Sequence, residues 1–134
     1  MTALTISVSS AHDVVVKNDR GGIVDEYVAK YKEVDQRGDR IIIDGYCGSA
    51  CTLALALPFT CVTSRAKLVF HTVHDLEWWS WPHRRRISVD GNEFFMAQYP
   101  PGVQRWVATH GGLTEKLIVL KGNSLFALVR RCSR

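Results

Sequence analysis

The sequence lacks the features that would assign it to several large classes of protein. None of its 134 residues belongs to a run of about 18 consecutive apolar residues, which a membrane-spanning helix needs, so no membrane partner is predicted. It has no internal repeat and no low-complexity segment. Charged residues make up 22% of the chain and hydrophobic residues 46%, which argues against disorder. We therefore expect a single globular domain spanning residues 1–134.

Signals for export and for metal binding are equally scarce. The N-terminal segment MTALTISVSSAHD has neither a basic start nor a long apolar stretch, so it does not read as a signal peptide. Residues 1–12 are expected to be poorly ordered. His71, His74 and Asp75 could begin a metal site, but no further ligand is evident, and the cysteines form no Cys-x-x-Cys pair. Neither a metal nor a cofactor is predicted.

Positive charge is mild and local. The net charge of +4 comes from clusters such as HRRR (83–86) and RRCSR (130–134), which are too short to predict nucleic acid as a partner. The most unusual stretch is EWWSWPHRRR (77–86), inside a segment without periodicity, 75–92, that is predicted to be a loop or insertion. Its tryptophans and arginines could stack on sugars, bases or peptide side chains. Alternatively, the loop packs on its own aromatic rings or forms a subunit contact.

The chain does contain alternating strand and helix patterns. Val14–Val16 predicts a short strand, apolar residues at helical spacing follow from Ile23 to Val34, and Gly38 ends that helix. The apolar run RIIID (40–44) predicts a buried strand. This order is a βαβ unit, whose two strands are parallel. The fold class is therefore α/β, with a mostly parallel sheet.

The second half continues with shorter elements. SACTLALAL predicts a buried central helix that Pro58 ends, and short strands follow at 61–63 and 67–71. A helical pattern from Glu93 to Thr109 is interrupted by Pro100–Pro101, and Thr114 is expected to cap a last short helix. The C-terminal part is thus predicted to be helical.

Ser49 is the most suggestive residue for chemistry. It lies in DGYCGSACTLALALP (44–58), where a buried strand ends among small residues and a helix begins. The turn after the first strand carries Gly21–Gly22, and both turns are expected at the carboxyl edge of the sheet. The amides of Gly22 (or Gly21) and Ala50 could then stabilise the oxyanion of an acyl transfer. His71, at the end of KLVF, is the best-placed base for Ser49.

Three motifs in order resemble a known family. NDRGG (18–22), GYCGSACT (45–52) and SRAKLVFH (64–71) are similar to segments of the Clp protease proteolytic subunit and its crotonase-like relatives. The resemblance is closest to short bacterial proteins, often exported, with a Cys-x-Ser-Ala-Cys-Thr motif. It implies a small layered Clp protease/crotonase-like domain and a serine hydrolase acting on a peptide or small acyl substrate. Relatives of both kinds form rings or trimers, so a homo-oligomer is one expected state.

The resemblance also implies roles for individual residues. Ser49 corresponds to the nucleophile, His71 to the base, and Gly22 with Ala50 to the oxyanion donors. The family's catalytic aspartate has no counterpart near Lys121–Asn123, which leaves Asn123 as a candidate to orient His71. Because that carboxylate is missing, a non-catalytic binding or assembly module is the alternative function.

The same residues could also have purely structural roles. Ser49 could be an ordinary helix N-cap, His71 a hydrogen-bonded histidine at a strand end, and Gly21–Gly22 a tight turn. The cysteines could be buried thiols in a cytoplasmic protein or two disulfides in an exported one. Expected proximity favours two disulfides, Cys51–Cys61 and Cys47–Cys132. The resemblance and the cysteines favour a periplasmic or exported protein, whereas the N-terminus leaves a cytoplasmic one open.

Overall fold

A mixed five-stranded sheet forms the centre of the computed structural model, which describes residues 3–4, 12–77 and 79–133. Its strands run in the order β1-β2-β4-β7, with the short β3 also paired to β2, and β5 and β6 form a separate two-stranded sheet. The elements are β1 Asp13–Asp19, α1 Val24–Arg37, β2 Arg40–Gly48, a 3₁₀ helix Ser49–Ala56, β3 Cys61–Val62, β4 Lys67–Phe70, β5 His74–Glu77, β6 Arg84–Ile87, α2 Val89–Gln98, α3 Pro101–Thr109, β7 Ile118–Lys121 and α4 Gly122–Phe126.

The predicted βαβ unit is present. Strands β1 and β2 are parallel, with Val14 opposite Ile41 and Val16 opposite Ile43. Helix α1 ends at Gly38, whose left-handed backbone (φ 69°) donates its amide to the last turn. Both strands are longer than predicted, because polar residues extend β1 and residues 45–48 extend β2 beyond the apolar runs.

Strand β2 lies at the centre of the sheet, where it pairs with β1, β3 and β4. Strand β3 lies parallel to its first half and β4 parallel to its second half, and Ile41 and Ile43 are buried between the layers. The predicted central helix follows directly, and its residues from Ala50 to Leu55 are buried. It is a 3₁₀ helix rather than an α-helix. The predicted α/β class with a mostly parallel sheet is confirmed.

Two predicted segments adopt a different structure. Residues 75–92, expected as a loop or insertion, contain the hairpin of β5 and β6 and the start of α2. Its strand pattern is hard to recognise because charged residues dominate both strands and β6 is exposed throughout. The helix expected after Thr114 is instead β7, which pairs antiparallel with β4. The consecutive residues Ile118–Leu120 are typical of such a strand.

Two disulfides are present, as predicted, but the expected pairing is wrong. Cys47 bonds Cys51, and Cys61 bonds Cys132. Cys51 lies in the first turn of the 3₁₀ helix, which brings its Cα to 5.4 Å from that of Cys47. The tail runs beside β3, where Val62 accepts a hydrogen bond from the Cys132 amide, so Cys132 meets Cys61 instead.

The poorly ordered segment expected at 1–12 lies outside the described residues except for positions 3, 4 and 12. Among the helices that the structure does describe, none is both long and apolar enough to cross a bilayer.

Candidate active site

Ser49 has an unusual backbone conformation. It is the single non-glycine residue with a positive φ (53°) in the described part of the chain, and it links β2 to the 3₁₀ helix. Left-handed conformations are costly for residues with a Cβ and persist where the surroundings impose them. An ordinary N-cap residue has extended backbone angles, and here Gly48 holds that position. Ser49 is therefore the first residue of the helix, presented on a sharp strand-to-helix turn and only partly buried.

Gly21 packs directly against this turn. A Cβ at Gly21 would lie 2.7 Å from Ser49 Cβ, 2.9 Å from the Ala50 nitrogen and 2.9 Å from the Gly48 oxygen. Its φ of 86° also favours glycine. The Gly21–Gly22 turn and the Ser49 turn, which were predicted to meet at the carboxyl edge of the sheet, are thus in contact. The contact is possible because Gly21 has no side chain.

Two amides near Ser49 have no acceptor among the described residues: those of Gly22 and Ala50. The Gly21 amide is already used, because it donates to Asp19 Oδ1 at 2.9 Å. Tyr27 donates to the same oxygen at 2.6 Å. Burial, together with this carboxylate, raises the pKa of Tyr27 to about 12, so the phenol stays protonated and keeps Asp19 in place. Of the two glycines considered for the oxyanion site, Gly22 is the one with a free donor.

A buried hydrogen-bond chain holds the Ser49 backbone from behind. Thr52 Oγ1 donates to the Ser49 carbonyl at 2.6 Å and lies 2.7 Å from the Tyr99 hydroxyl. Since the single Thr52 hydroxyl proton is directed to the carbonyl, Tyr99 must donate to Thr52. Burial raises the pKa of Tyr99, which keeps this donor protonated. Sequence reasoning missed both residues, which are 47 positions apart.

The Cys47–Cys51 disulfide joins the residues that flank the Ser49 turn. Its two cysteines lie two residues before and two residues after Ser49, and both are fully buried. The Ser49 turn is therefore fixed by a covalent bond, a hydrogen-bond chain and a close glycine contact.

His71 reaches the same edge of the sheet as Ser49 but is not hydrogen-bonded to it. The register of β2 and β4 pairs Gly48 with Val69, which places Ser49 beside Phe70 and His71 one residue further on. Within the part of the chain that the structure describes, Ser49 Oγ makes no hydrogen bond to His71. His71 Nδ1 lies 2.8 Å from the Thr72 carbonyl oxygen, which can only accept. The proton is therefore on Nδ1, and Nε2 is the basic nitrogen.

A second histidine lies nearby with a carboxylate. His74 Nε2 is 3.0 Å from Glu115 Oε1, and the rings of His71 and His74 are 6.3 Å apart. Glu115 was not recognised in the sequence because it precedes β7 and reaches the edge only through the antiparallel pairing. Asp75, the other candidate ligand, lies on the hairpin. No group of three or more His, Cys, Asp or Glu suited to a metal ion occurs among the described residues.

Asn123 does not reach the candidate site. Because β7 is antiparallel to β4, Ile118 pairs with Phe70 beside His71, and Lys121 pairs with Lys67 at the other end of the strand. Three residues of strand separate those ends by about 10 Å, and Asn123 follows Lys121. Its exposed side chain makes no hydrogen bond to another described residue. The expectation that Asn123 orients His71 is therefore wrong, and the Thr72 carbonyl takes that position.

The fold and the edge geometry define a small mixed α/β domain with a constrained serine turn beside a histidine. Comparison of the chain with models of protein families, with curated proteins and with solved structures finds no match.

Proposed function

We propose that this protein is a serine hydrolase that cleaves a peptide or another small acyl substrate, on a small Clp protease/crotonase-like domain. The observation that carries the proposal is the backbone of Ser49, held at a φ of 53° on a turn that Gly21 closely packs. Strained backbone conformations of this kind cluster at active sites, where the surrounding structure imposes them. An ordinary helix-capping serine would not need such a turn.

The proposed reaction assigns one role to each group at the edge. Ser49 Oγ attacks the acyl carbon, and His71 Nε2 takes the hydroxyl proton and gives it to the leaving group as the acyl bond breaks. Water then attacks the acyl–Ser49 ester, with His71 Nε2 taking its proton and returning it to Ser49 Oγ as the acid product leaves. The Thr72 carbonyl fixes His71 by accepting from Nδ1 at 2.8 Å. The free amides of Gly22 and Ala50 stabilise the oxyanion.

One rearrangement is required before this reaction. Ser49 and His71 are not hydrogen-bonded, so a side-chain rotation or a small shift of the His71 loop has to bring them together when substrate binds. Such contacts are often long in unliganded enzymes and tighten in the complex. Both side chains are only partly buried, which leaves room for the rotation.

The alternative is a non-catalytic binding or assembly module with the same fold. It is favoured by the missing hydrogen bond between Ser49 and His71 and by the lack of a carboxylate on His71 Nδ1, among the described residues. In that case, the serine turn is retained as structure alone.

We further propose that the protein works in the periplasm or outside the cell. Two disulfides that include all four cysteines are stable in an oxidising compartment and rare in a reducing one. A homo-oligomer, which the family resemblance implies, belongs to the same proposal.

Labelling with a fluorophosphonate probe tests the hydrolase proposal. The oxidised wild type is compared with Ser49→Ala, His71→Ala and the control Ser64→Ala, a serine in the turn before β4. We expect the wild type and Ser64→Ala to label and the other two variants to lose labelling. A folded wild type that does not label supports the binding module, and labelling that survives Ser49→Ala refutes the assigned nucleophile.

A further inference from the structure

The hairpin of β5 and β6 exposes two large aromatic side chains. Trp79 is 75% exposed and Trp81 is 87% exposed, both in the turn that joins the two strands. The hairpin forms its own sheet, and its base is fixed by the Ser88 amide, which donates to the Val73 carbonyl. Large apolar side chains exposed close together in the chain are a feature of interaction sites.

Arginines lie directly behind the tryptophans. The register pairs Glu77 with Arg84, Leu76 with Arg85 and Asp75 with Arg86, so the tip extends beyond the Glu77–Arg84 pair. At about 3.3 Å per residue, all three arginines lie within about 10–15 Å of the tip. Measured from the tip, the backbone of both tryptophans therefore comes first and that of the arginines second, and the Trp79 ring reaches back to Arg86.

The three hairpin arginines are exposed and can interact with a partner. Arg84, Arg85 and Arg86 are exposed, and none forms an ion pair with another described residue. Arg86 lies over the ring of Trp79 at 5.9 Å. Two carboxylates, Asp75 and Glu77, face them across the hairpin, so residues 74–87 carry a net charge of +1 with neutral histidines.

The tryptophans and arginines together indicate one kind of partner. A second copy docked tip to tip would bring together two hairpins that each carry a net charge of +1, which is electrostatically unfavourable. Single-stranded nucleic acids bind in charged grooves, whereas these indoles lie on a projecting turn. At a bilayer surface, indole rings settle at the headgroup level and arginines meet lipid phosphates.

We propose that the β5–β6 hairpin docks the protein on the surface of an anionic phospholipid bilayer. The tryptophans insert among the headgroups, and Arg84, Arg85 and Arg86 contact phosphates. The expectation of no membrane partner rested on the length of apolar runs, which bears on spanning and not on surface attachment. The proposal does not depend on hydrolase activity.

Co-sedimentation with lipid vesicles tests the proposal on the oxidised full chain. Vesicles contain phosphatidylcholine alone or mixed in equal parts with phosphatidylglycerol. The wild type is compared with Trp79→Ser/Trp81→Ser and with Phe59→Ser, which removes an aromatic ring 49% exposed elsewhere on the surface. Arg84→Gln/Arg85→Gln is compared with Arg130→Gln/Arg131→Gln, which removes the same charge from the tail. Circular dichroism verifies that each variant is folded.

The wild type is expected to bind the anionic vesicles in preference to the neutral ones. The tryptophan variant should lose affinity by about tenfold or more per indole, while Phe59→Ser changes little. The hairpin arginine variant should lose several-fold more than the tail variant. Three results would overturn the proposal: no wild-type binding, equal losses for each variant and its control, or tighter binding of a single-stranded oligonucleotide through the same tryptophans.

Discussion

Gly21 and Ser49 form the contact on which the candidate site depends at the scale of single residues. The distances of 2.7 and 2.9 Å from a Cβ at Gly21 leave no space for a side chain, and the neighbouring atoms include backbone that cannot rotate away. Gly38 offers a matched comparison, because it also has a positive φ (69°) but nothing within 4 Å of a Cβ. Comparing the two glycines separates backbone strain from steric overlap.

We expect Gly21→Ala to destabilise the fold by about 2–4 kcal/mol, and Gly38→Ala by only about 1 kcal/mol. The smaller figure is strain alone, whereas the larger one adds displacement of the Ser49 turn. Urea unfolding of the two variants and the wild type measures both values. Equal costs would contradict a close contact between the two turns.

A second prediction at this scale concerns Thr52 and Tyr99. Thr52→Val removes the hydroxyl that holds the Ser49 carbonyl and leaves the buried Tyr99 hydroxyl without an acceptor, at a cost of about 1–3 kcal/mol. Tyr99→Phe should cost less, because Thr52 keeps its bond to Ser49. Unfolding free energies of the single and double variants give the coupling. If the two losses simply add, Tyr99 and Thr52 do not act as a pair.

The sequence allowed some of these residues to be predicted and not others. Ser49, Gly22, Ala50 and His71 could be proposed because small residues and glycines follow recognisable strands. The Thr52–Tyr99 bond spans 47 positions and depends on how α2 packs, which no local pattern encodes. Asn123 was misplaced because the direction of β7 reverses which end of β4 it approaches.

Asp44 couples two elements of the sheet. Hydrogen bonds from Arg65 and from Thr63 lower the pKa of Asp44 to about 2, from an ordinary value of 3.8. These bonds tie the middle of β2 to the turn before β4. Because the folded pKa lies below the unfolded one, the stabilisation is complete above about pH 4 and is lost as the pH falls toward about 2.

The prediction for this pair is a change in acid sensitivity. From about pH 5, above both pKa values, down to about pH 2, the urea midpoint of Asp44→Asn should fall less than that of the wild type. Asp35→Asn is the control, because Asp35 is exposed and its side chain has no partner among the described residues. An acid dependence of Asp44→Asn identical to that of the wild type would show that the pair contributes nothing.

Elements were predictable where a single pattern dominates. The helical stripe and Gly38 identify α1, and the apolar run identifies β2, because burial forces those patterns. The β5–β6 hairpin escaped recognition because exposed strands need no apolar alternation. Strand β7 was mistaken for a helix because a short apolar run fits either structure until its partner, β4, is known.

The two disulfides close loops of very different length in the molecule. Cys61–Cys132 joins residues 71 positions apart, whereas Cys47–Cys51 joins residues 4 apart. Loop-closure entropy predicts a loss of about 4 kcal/mol for Cys61→Ala/Cys132→Ala and about 2 kcal/mol for Cys47→Ala/Cys51→Ala. Phosphonylation of Ser49 should show the reverse order, because the short loop surrounds it.

Urea unfolding and the rate of probe labelling measure these two quantities on the same samples. If the tail pair proves more important for labelling than the pair around Ser49, the short disulfide has no special role in shaping the turn. If neither pair affects stability, loop closure by these bonds does not stabilise the fold.

The structure of the phosphonylated protein tests the central claim most directly. After reaction with a fluorophosphonate, we expect phosphorus bonded to Ser49 Oγ, with a phosphonyl oxygen about 2.7–3.1 Å from the amides of Gly22 and Ala50. His71 should have moved toward Ser49 while Nδ1 keeps its bond to the Thr72 carbonyl. An adduct on another residue, or an oxygen directed away from both amides, would contradict the proposed serine hydrolase.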